Sequence, residues 1–187
     1  MTALILETSQ TEALLGISQG RVVLCFTALV ADKSLSKELH RSLERLLGQT
    51  KLAAIDYLAI GIGPGSYVGS RTAVTIGKTL SFALEKPVVT FPSPIAFLPE
   101  DYTGPFTFLA DAKMGQLALF DGQIEESGRA AISPFRLVDK KSFSPPLKRL
   151  LVQAEKLNPK IVAEYVYEKF ERGEVCSADE LTPLYYR

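Results

Sequence analysis

The chain reads Gly61-Ile62-Gly63-Pro64-Gly65-Ser66-Tyr67-Val68-Gly69-Ser70-Arg71 near its middle, and this stretch decides how its first half folds. It follows an apolar run at residues 57–60 and precedes a run of helical periodicity at residues 70–84. Glycine permits tight turns and close approach to the backbone, and a loop that opens a helix can also offer amides to an anion or a partner chain. The stretch predicts a strand-to-helix loop that serves either close packing or binding, and both interpretations are open at this point.

The order of predicted elements around this loop indicates a mixed sheet covered by helices. Three β-type runs come first, at residues 3–6, 13–18 and 21–28, and a helix is predicted at residues 34–47, with Ser34 as its cap. The remaining predicted elements are a strand at 55–62, the loop, the helix at 70–84 and a strand at 88–91. The order β-β-β-α-β-α-β is shared by ribonuclease-H-like and actin-like ATPase folds.

The second half is predicted to form a separate lobe. Proline, serine and aspartate concentrate at residues 92–104, which places a boundary between a lobe at 1–98 and a lobe at 99–187. Strands are predicted at 106–110 and 116–120, a turn at 111–115 and a hairpin turn at Asp121-Gly122. Two helical stretches are predicted near the C-terminus, at 147–157 and 161–170.

Composition excludes several classes of function. The chain has 187 residues with 21 basic and 21 acidic side chains, and a protein whose main task is to grip nucleic acid usually has a basic excess. No apolar run has the length of a membrane helix, and the first residues do not have the pattern of a secretory signal. The two cysteines, Cys25 and Cys176, have no metal-ligand spacing, so we expect reduced thiols in a cytoplasmic protein.

The acidic residues at two strand ends suggest a nucleotide cleft, although an incomplete one. Leu4-Ile5-Leu6 leads into Glu7, and Phe108-Leu109-Ala110 leads into Asp111, as in two duplicated lobes that face a shared cleft. Paired acids of this kind could hold magnesium against phosphates. However, Thr8 is followed by Ser9-Gln10 where a glycine would have to wrap a phosphate. The residues predicted to form this vestigial nucleotide cleft are Glu7, Thr8, Gly63, Gly65, Ser66 and Asp111.

Other catalytic patterns are absent from the sequence. The glycine stretch departs from the dinucleotide fingerprint because Ser66 stands at the third glycine position. The triplet Gly77-Lys78-Thr79 imitates a P-loop, but it lies in the middle of a predicted helix, where the amides are already bonded. His40 is the single histidine, which argues against a multi-histidine metal site and against a Ser-His-Asp triad.

Taken together, these motifs resemble the bacterial TsaB (YeaZ) family. The match runs over most of the chain and is strongest at residues 61–71, which follow the pattern G-x-G-P-G-S-[FY]-[TV]-G-x-R. It continues at Asp111-Ala112-Lys113-Met114-Gly115, at Pro183-Leu184-Tyr185-Tyr186-Arg187 and in the helix that carries His40. Where the family has Asp-Thr after its first strand, this chain has Glu7-Thr8.

The resemblance implies an α/β protein with an actin-like ATPase (ribonuclease-H-like) fold, two lobes with mixed sheets and a reduced second lobe. It implies no catalytic residue, no metal and no cofactor beyond weak or vestigial nucleotide binding. The implied role is to bind the catalytic paralogue TsaD and, with the ATPase TsaE, to support formation of threonylcarbamoyladenosine beside the tRNA anticodon. The paralogue holds a metal through paired histidines on its equivalent first helix, where this chain has only His40.

The resemblance also implies that the first two helices bind the partner, as a heterodimer with TsaD or as a homodimer in isolation. The sequence leaves open which side of each helix faces outward. The residues expected at this interface are Leu39, His40, Leu43, Leu46, Ala73, Ile76, Gly77 and Leu80. Two alternatives are an active ATPase or phosphotransferase that uses Glu7 and Asp111, and a glycoprotease-like peptidase, which ranks last because no nucleophile–base pair is recognisable.

Overall fold

Alternating apolar residues build the first sheet of the protein. The computed structural model describes residues 1–30, 35–49, 52–100, 102–125 and 130–184. Five strands form this sheet in the order β3-β2-β1-β4-β5. Their bounds are β1 (Thr2–Glu7), β2 (Glu12–Gln19), β3 (Val22–Val30), β4 (Tyr57–Gly61) and β5 (Val88–Phe91). Strands β1, β2 and β3 are antiparallel neighbours, whereas β1, β4 and β5 run parallel, so the sheet is mixed.

Helices cover both faces of the first sheet. Leu4 and Leu6 of β1 pack into one apolar cluster with α1 (Leu35–Gln49) and α2 (Tyr67–Leu84). Ala3 and Ile5 point to the opposite face, because side chains alternate along a strand, and share a second cluster with α3 (Pro159–Glu171). A helix from the second half of the chain therefore completes the core of the first sheet.

The described part of the second sheet contains five strands and is also mixed. The main path is β10-β6-β7-β8, and β9 pairs with β7 beside β8. The bounds are β6 (Gly104–Lys113), β7 (Gln116–Ile124), β8 (Ala130–Ile132), β9 (Arg136–Asp139) and β10 (Leu150–Gln153). Among the described strands of this sheet, only β10 and β6 pair in parallel. The prediction of an α/β fold with two mixed sheets is confirmed.

Three local predictions in the second half are wrong. Strand β6 continues through Asp111 to Lys113, and the turn lies at Met114-Gly115, where both residues have positive φ. Asp121-Gly122 lies inside β7, where the Phe106 ring fills the space that a side chain on Gly122 would need. The stretch at 147–157 contains β10, because pairing with β6 outweighs its helical pattern.

The two halves of the chain are joined by more than the segment at residues 92–104. Phe91 of β5 and Phe106 of β6 belong to the same apolar cluster. The C-terminal segment returns to the first sheet, where Cys176 bridges to Val88 and the Leu184 amide donates to the Ile62 carbonyl at 2.7 Å. None of the described helices combines the length and apolar character that crossing a membrane requires.

Candidate functional site

The glycine loop between β4 and α2 uses its polar backbone groups within the chain. The Gly63–Pro64 peptide bond is cis. The Gly63 amide donates to Ser93 Oγ at 2.9 Å, and the Ser66 amide donates to the Ser9 carbonyl at 2.6 Å. Gln10 Nε2 donates to the Pro64 carbonyl at 2.5 Å. The amides of Gly63 and Ser66, two loop residues predicted for the nucleotide cleft, are therefore engaged in holding the loop.

The turn between β1 and β2 packs directly on this loop. A side chain on Gly65 would overlap the Ser9 carbonyl, and one on Gly69 would overlap the Thr8 carbonyl. Thr8 Oγ1 also donates to the Gly69 carbonyl at 2.5 Å. Because glycine has no Cβ, the two segments approach more closely than other residues would allow. Close packing within the chain is thus one use that the structure gives these glycines.

Glu7 lies fully buried at the end of β1. The Ser9 amide and Ser9 Oγ donate to its Oε1 at 2.5 and 2.6 Å, and Ser93 Oγ donates to its Oε2. Burial raises the pKa of the Glu7 carboxyl above its ordinary value, while the hydrogen bonds from Ser9 and Ser93 act in the opposite direction. The carboxyl is therefore held inside the first sheet by its own neighbours.

Asp111 and His40, the other residues considered for chemistry, are exposed. Asp111 lies within β6 before its end, and its Oδ1 forms an ion pair with Lys140 Nζ at 2.9 Å. His40 Nε2 lies 3.3 Å from Glu44 Oε1, one helical turn away on α1. In the part of the chain that the structure describes, no three His, Cys, Asp or Glu side chains are grouped so as to hold a metal ion. The single histidine does not fit a metal centre on α1.

Half of the residues expected at the partner interface are buried in the chain's own core. Leu39, Leu46 and Ala73 belong to the cluster beneath α1 and α2, and Gly77 lies against Ile60 and Leu181. The assignment of Leu46, Ala73 and Gly77 to an outward surface is therefore corrected, whereas Leu39 is buried in the core and also borders the outer groove. These residues form the inward stripe of each amphipathic helix, which packs on the sheet because that stripe is the most apolar one.

The outward sides of α1 and α2 enclose an apolar groove of about 560 Å³. Of the residues expected at the interface, His40 and Leu43 from α1 and Ile76 from α2 line it. Leu80, which like Leu43 and Ile76 packs partly against the inner cluster, is not among the lining residues. The lining residues are Leu39, His40, Leu43, Tyr67, Val68, Arg71, Thr72, Thr75 and Ile76. Val68 is 70% exposed, which is high for an aliphatic side chain on a helix.

The sequence prediction missed Tyr67 and Val68 because it started the helix at Ser70, and it did not assign Arg71, which lies inside the predicted helix, to the interface. In the structure α2 begins at Tyr67, and Ser66 is its N-cap, whose Oγ accepts a hydrogen bond from the Gly69 amide at 3.4 Å. A serine before a helical run is a recognised start signal, so this extra turn could have been found. The Arg71 guanidinium lies 4.2 Å from the centroid of the Tyr67 ring, which orders both side chains at the groove.

The two mixed sheets and the order of elements in the first half define an actin-like fold. Among solved structures, the chain is similar to YeaZ from Pseudomonas aeruginosa, with a TM-score of 0.85, 19% sequence identity and 99% of each chain covered. A second structure is described as an uncharacterized protein with similarity to peptidase YEAZ, from the same organism. It has a TM-score of 0.85, 20% identity, and covers 100% of this chain and 99% of the other.

A family model described as TsaD, tRNA N6-adenosine threonylcarbamoyltransferase, matches residues 29–144. The chain therefore belongs to this tRNA-modification family. The match and the YeaZ fold together confirm the resemblance to the TsaB (YeaZ) family. No curated protein sequence matches this chain significantly.

Proposed function

We propose that this protein is a non-catalytic subunit of the complex that forms threonylcarbamoyladenosine on tRNA, and that it binds the catalytic paralogue TsaD through the groove between α1 and α2. The ATPase TsaE is the third component of this proposed complex. The outward-facing groove is the observation that carries the proposal, because it combines apolar side chains with an ordered aromatic–arginine pair. The cytoplasm, where tRNA is found, is the compartment that the proposal requires.

The composition of the groove favours a protein partner. Tyrosine and arginine are enriched among the residues that contribute most to binding between proteins. The threonines Thr72 and Thr75 are short and uncharged, so a partner helix can approach α2 closely. Leu43 and Ile76 supply apolar surface on the two walls of the groove. The groove therefore fits a partner that presents one helix or a pair of helices with apolar side chains.

Three features support a role without catalysis. The loop amides of Gly63 and Ser66 donate within the chain, and the Glu7 carboxyl is buried among serines. His40 is a single histidine on an exposed helix surface. We infer that the protein has no catalytic residue and needs no resident cofactor. Titration calorimetry with magnesium and ATP is expected to give no saturable heat for the isolated chain, and tight binding abolished by Asp111→Ala would contradict this inference.

The experiment that tests the proposed partnership is co-purification with TsaD followed by a tRNA modification assay. Val68→Lys places a charge in the groove, so it should abolish both complex formation and the stimulation of modification. Leu147→Lys is the matched control, because Leu147 is 91% exposed on a loop before β10, away from α1 and α2. Both variants should keep the thermal stability of the wild type. A complex that survives Val68→Lys unchanged would refute the proposed surface.

A further inference from the structure

Strand β3 is an apolar edge of the first sheet. It stands last in the order β3-β2-β1-β4-β5 and, among the described residues, pairs only with β2. Its nine residues, Val22–Val30, include no charged side chain and no proline. Phe26 is 50% exposed, and Val22, Leu24 and Val30 are more exposed still. Soluble proteins normally protect a sheet edge with charges or proline, so this edge is open to a further strand.

Most of β3 retains the regular geometry that an added strand would need. The pairing with β2 is interrupted once, by a bulge at Leu24 between the pairs Ile17–Cys25 and Ser18–Val23. From Cys25 to Val30 the register with β2 continues without a break. Alternate residues of this segment direct their backbone amides and carbonyls away from β2. An added strand can bind this row of donors and acceptors in register.

The larger of two recesses beside β3 lies on the α3 face of the sheet. Val23 and Phe26 form one side of a groove of about 890 Å³, whose lining also includes Phe97, Leu98 and Leu157. The last three side chains belong to the apolar cluster that packs against α3. A groove of this size and character accommodates aromatic or long aliphatic side chains.

The smaller recess lies on the opposite face, beside α1. Cys25 and Thr27 border a space of about 80 Å³ against Ser42 and Leu46 of α1. This volume favours a small side chain. Because successive residues of a strand point to opposite faces, one added strand would use both recesses. The two volumes therefore favour a strand in which large apolar residues alternate with small ones.

The charges at the two recesses favour an acidic ligand. Lys156 lines the groove on the α3 face, Arg45 lines the recess on the α1 face, and both residues are exposed. Within the described part of the chain, neither cation forms an ion pair. Glu100, which also lines the larger groove, has its Oε2 atom 3.8 Å from Lys160 Nζ. The charges without a described partner are thus positive on both faces, and complementarity favours carboxylates opposite them.

We propose that β3 binds an extended, acidic segment of a different protein as an additional strand of the first sheet. Large apolar residues of this segment fill the groove on the α3 face, small residues face α1, and carboxylates lie beside Lys156 and Arg45. Backbone hydrogen bonds give the affinity, and the alternation of side-chain size gives the specificity. This surface shares no lining residue with the groove proposed for TsaD, so the inference goes beyond the proposed function.

A defined peptide tests strand addition on the wild-type chain. The probe is a fluorescent peptide of the length of β3 in which leucine and phenylalanine alternate with alanine and threonine, with a glutamate near each end. Fluorescence anisotropy should show saturable binding. Two further versions carry N-methyl groups on one or the other set of alternate amides, and in a strand these sets point to opposite edges. One version should lose about tenfold or more in affinity, and the other should bind like the parent peptide.

Variants of the chain locate the site. Lys156→Glu should weaken peptide binding about two- to fivefold, as expected for an exposed ion pair. Phe26→Glu should weaken it more, because it places a negative charge on the apolar side of the groove. Lys141→Glu is the matched control, since it reverses an exposed lysine that follows β9 in the second sheet, and it should bind like the wild type. Val68→Lys should also retain peptide binding, which separates this surface from the one proposed for TsaD.

Several results would overturn the proposal. One is the absence of saturable binding to the wild type, and another is an affinity that neither Lys156→Glu nor Phe26→Glu reduces. Equal affinities of the two methylated versions would show that the peptide lies in the groove without pairing with β3. Sedimentation of the chain with saturating peptide tests the other occupant. An unchanged oligomeric state supports the proposal, whereas dissociation would assign this edge to a second copy of the chain and would overturn it.

Discussion

The carboxylate of Glu7 occupies the space in which a side chain on Gly61 would lie. Glu7 ends β1 and Gly61 ends β4, and the two strands are parallel neighbours. Glutamate is one methylene longer than aspartate, and this length takes its carboxylate across β4 to Ser93, which follows β5. The glutamate at position 7 therefore requires glycine at position 61, because a side chain there would occupy the space of the carboxylate. We call these two residues a matched pair.

This match predicts strong coupling between the two positions. Gly61→Ala should reduce the free energy of unfolding by about 1–3 kcal/mol, because the new methyl group overlaps the carboxylate. Glu7→Ala leaves the Ser9 and Ser93 donors without their acceptor and should also destabilise. The loss in free energy of unfolding of the double variant should be smaller than the sum of the two single losses by about 0.5–3 kcal/mol, because Glu7→Ala removes the overlap. Urea denaturation measures all four proteins, and strict additivity would refute the match.

The buried carboxyl of Glu7 predicts a pH dependence of stability. Because its pKa is raised in the folded state, the folded chain binds this proton more tightly than the unfolded chain. The contribution of Glu7 to stability is thus complete below the ordinary pKa of 4.5 and is lost as the pH rises through the folded-state pKa. The side chain of Glu7→Gln cannot ionise. Between pH 4.5 and the folded-state pKa of Glu7, this variant should therefore lose less free energy of unfolding than the wild type.

The measurement is urea denaturation of the wild type and Glu7→Gln at a series of pH values from below 4.5 upward. Glu12→Gln, on the partly exposed first residue of β2, is the control and should follow the wild-type profile. Parallel profiles for the wild type and Glu7→Gln would show that the Glu7 proton is bound equally in the folded and unfolded states.

Local patterns in the sequence predicted the first sheet and its helices well. Strands β1, β4 and β5 are short apolar runs bounded by turn residues, and α2 has a clear helical period, so neighbouring residues carry enough information. Strand β10 was predicted as helix, because its extended form depends on pairing with β6, more than forty residues earlier in the chain. That pairing is a long-range contact that a local pattern does not contain.

The sequence predicted which two helices form the candidate site, but it did not predict which side of each helix faces outward. An amphipathic stripe shows that a helix is buried on one side, but the sequence does not say whether the chain's own sheet or a partner covers it. Leu39 and Leu43 are one turn apart and both border the groove, yet Leu39 is fully buried in the core cluster and Leu43 is only partly buried against it. Only the position of the helix above the sheet separates these two roles.

Two of the helical glycines, Gly77 and Gly48, allow a controlled test of the packing between α2 and the sheet. A methyl group on Gly77 would lie 2.8 Å from Ile60 Cγ1 and 3.1 Å from Leu181 Cδ2, so Gly77→Ala should destabilise by about 1–3 kcal/mol. Gly48 on α1 has open space at the same position, so Gly48→Ala should stabilise by about 0.5–1 kcal/mol through helix propensity. Opposite signs in thermal unfolding are expected, and a stabilised Gly77→Ala would contradict this packing.

The proposed partner surface is expected to extend along α2 to Phe82. Phe82 is 84% exposed, and it lies fourteen residues after Val68, with Thr75 midway. Residues seven and fourteen apart fall on nearly the same side of a helix with 3.6 residues per turn. The outward side of α2 is thus apolar at both ends and small in its middle, a profile that suits a helix lying nearly along it.

Phe82→Ala should therefore weaken binding to TsaD about tenfold or more, which corresponds to about 1.4 kcal/mol. It should leave the thermal stability of the isolated chain unchanged, because the side chain makes little contact within the fold. Leu147→Ala removes a similarly exposed apolar side chain elsewhere and should bind like the wild type. Calorimetric titration of TsaD into each variant gives the affinities. An unchanged affinity for Phe82→Ala would mean that the interface with the partner does not include the last turn of α2.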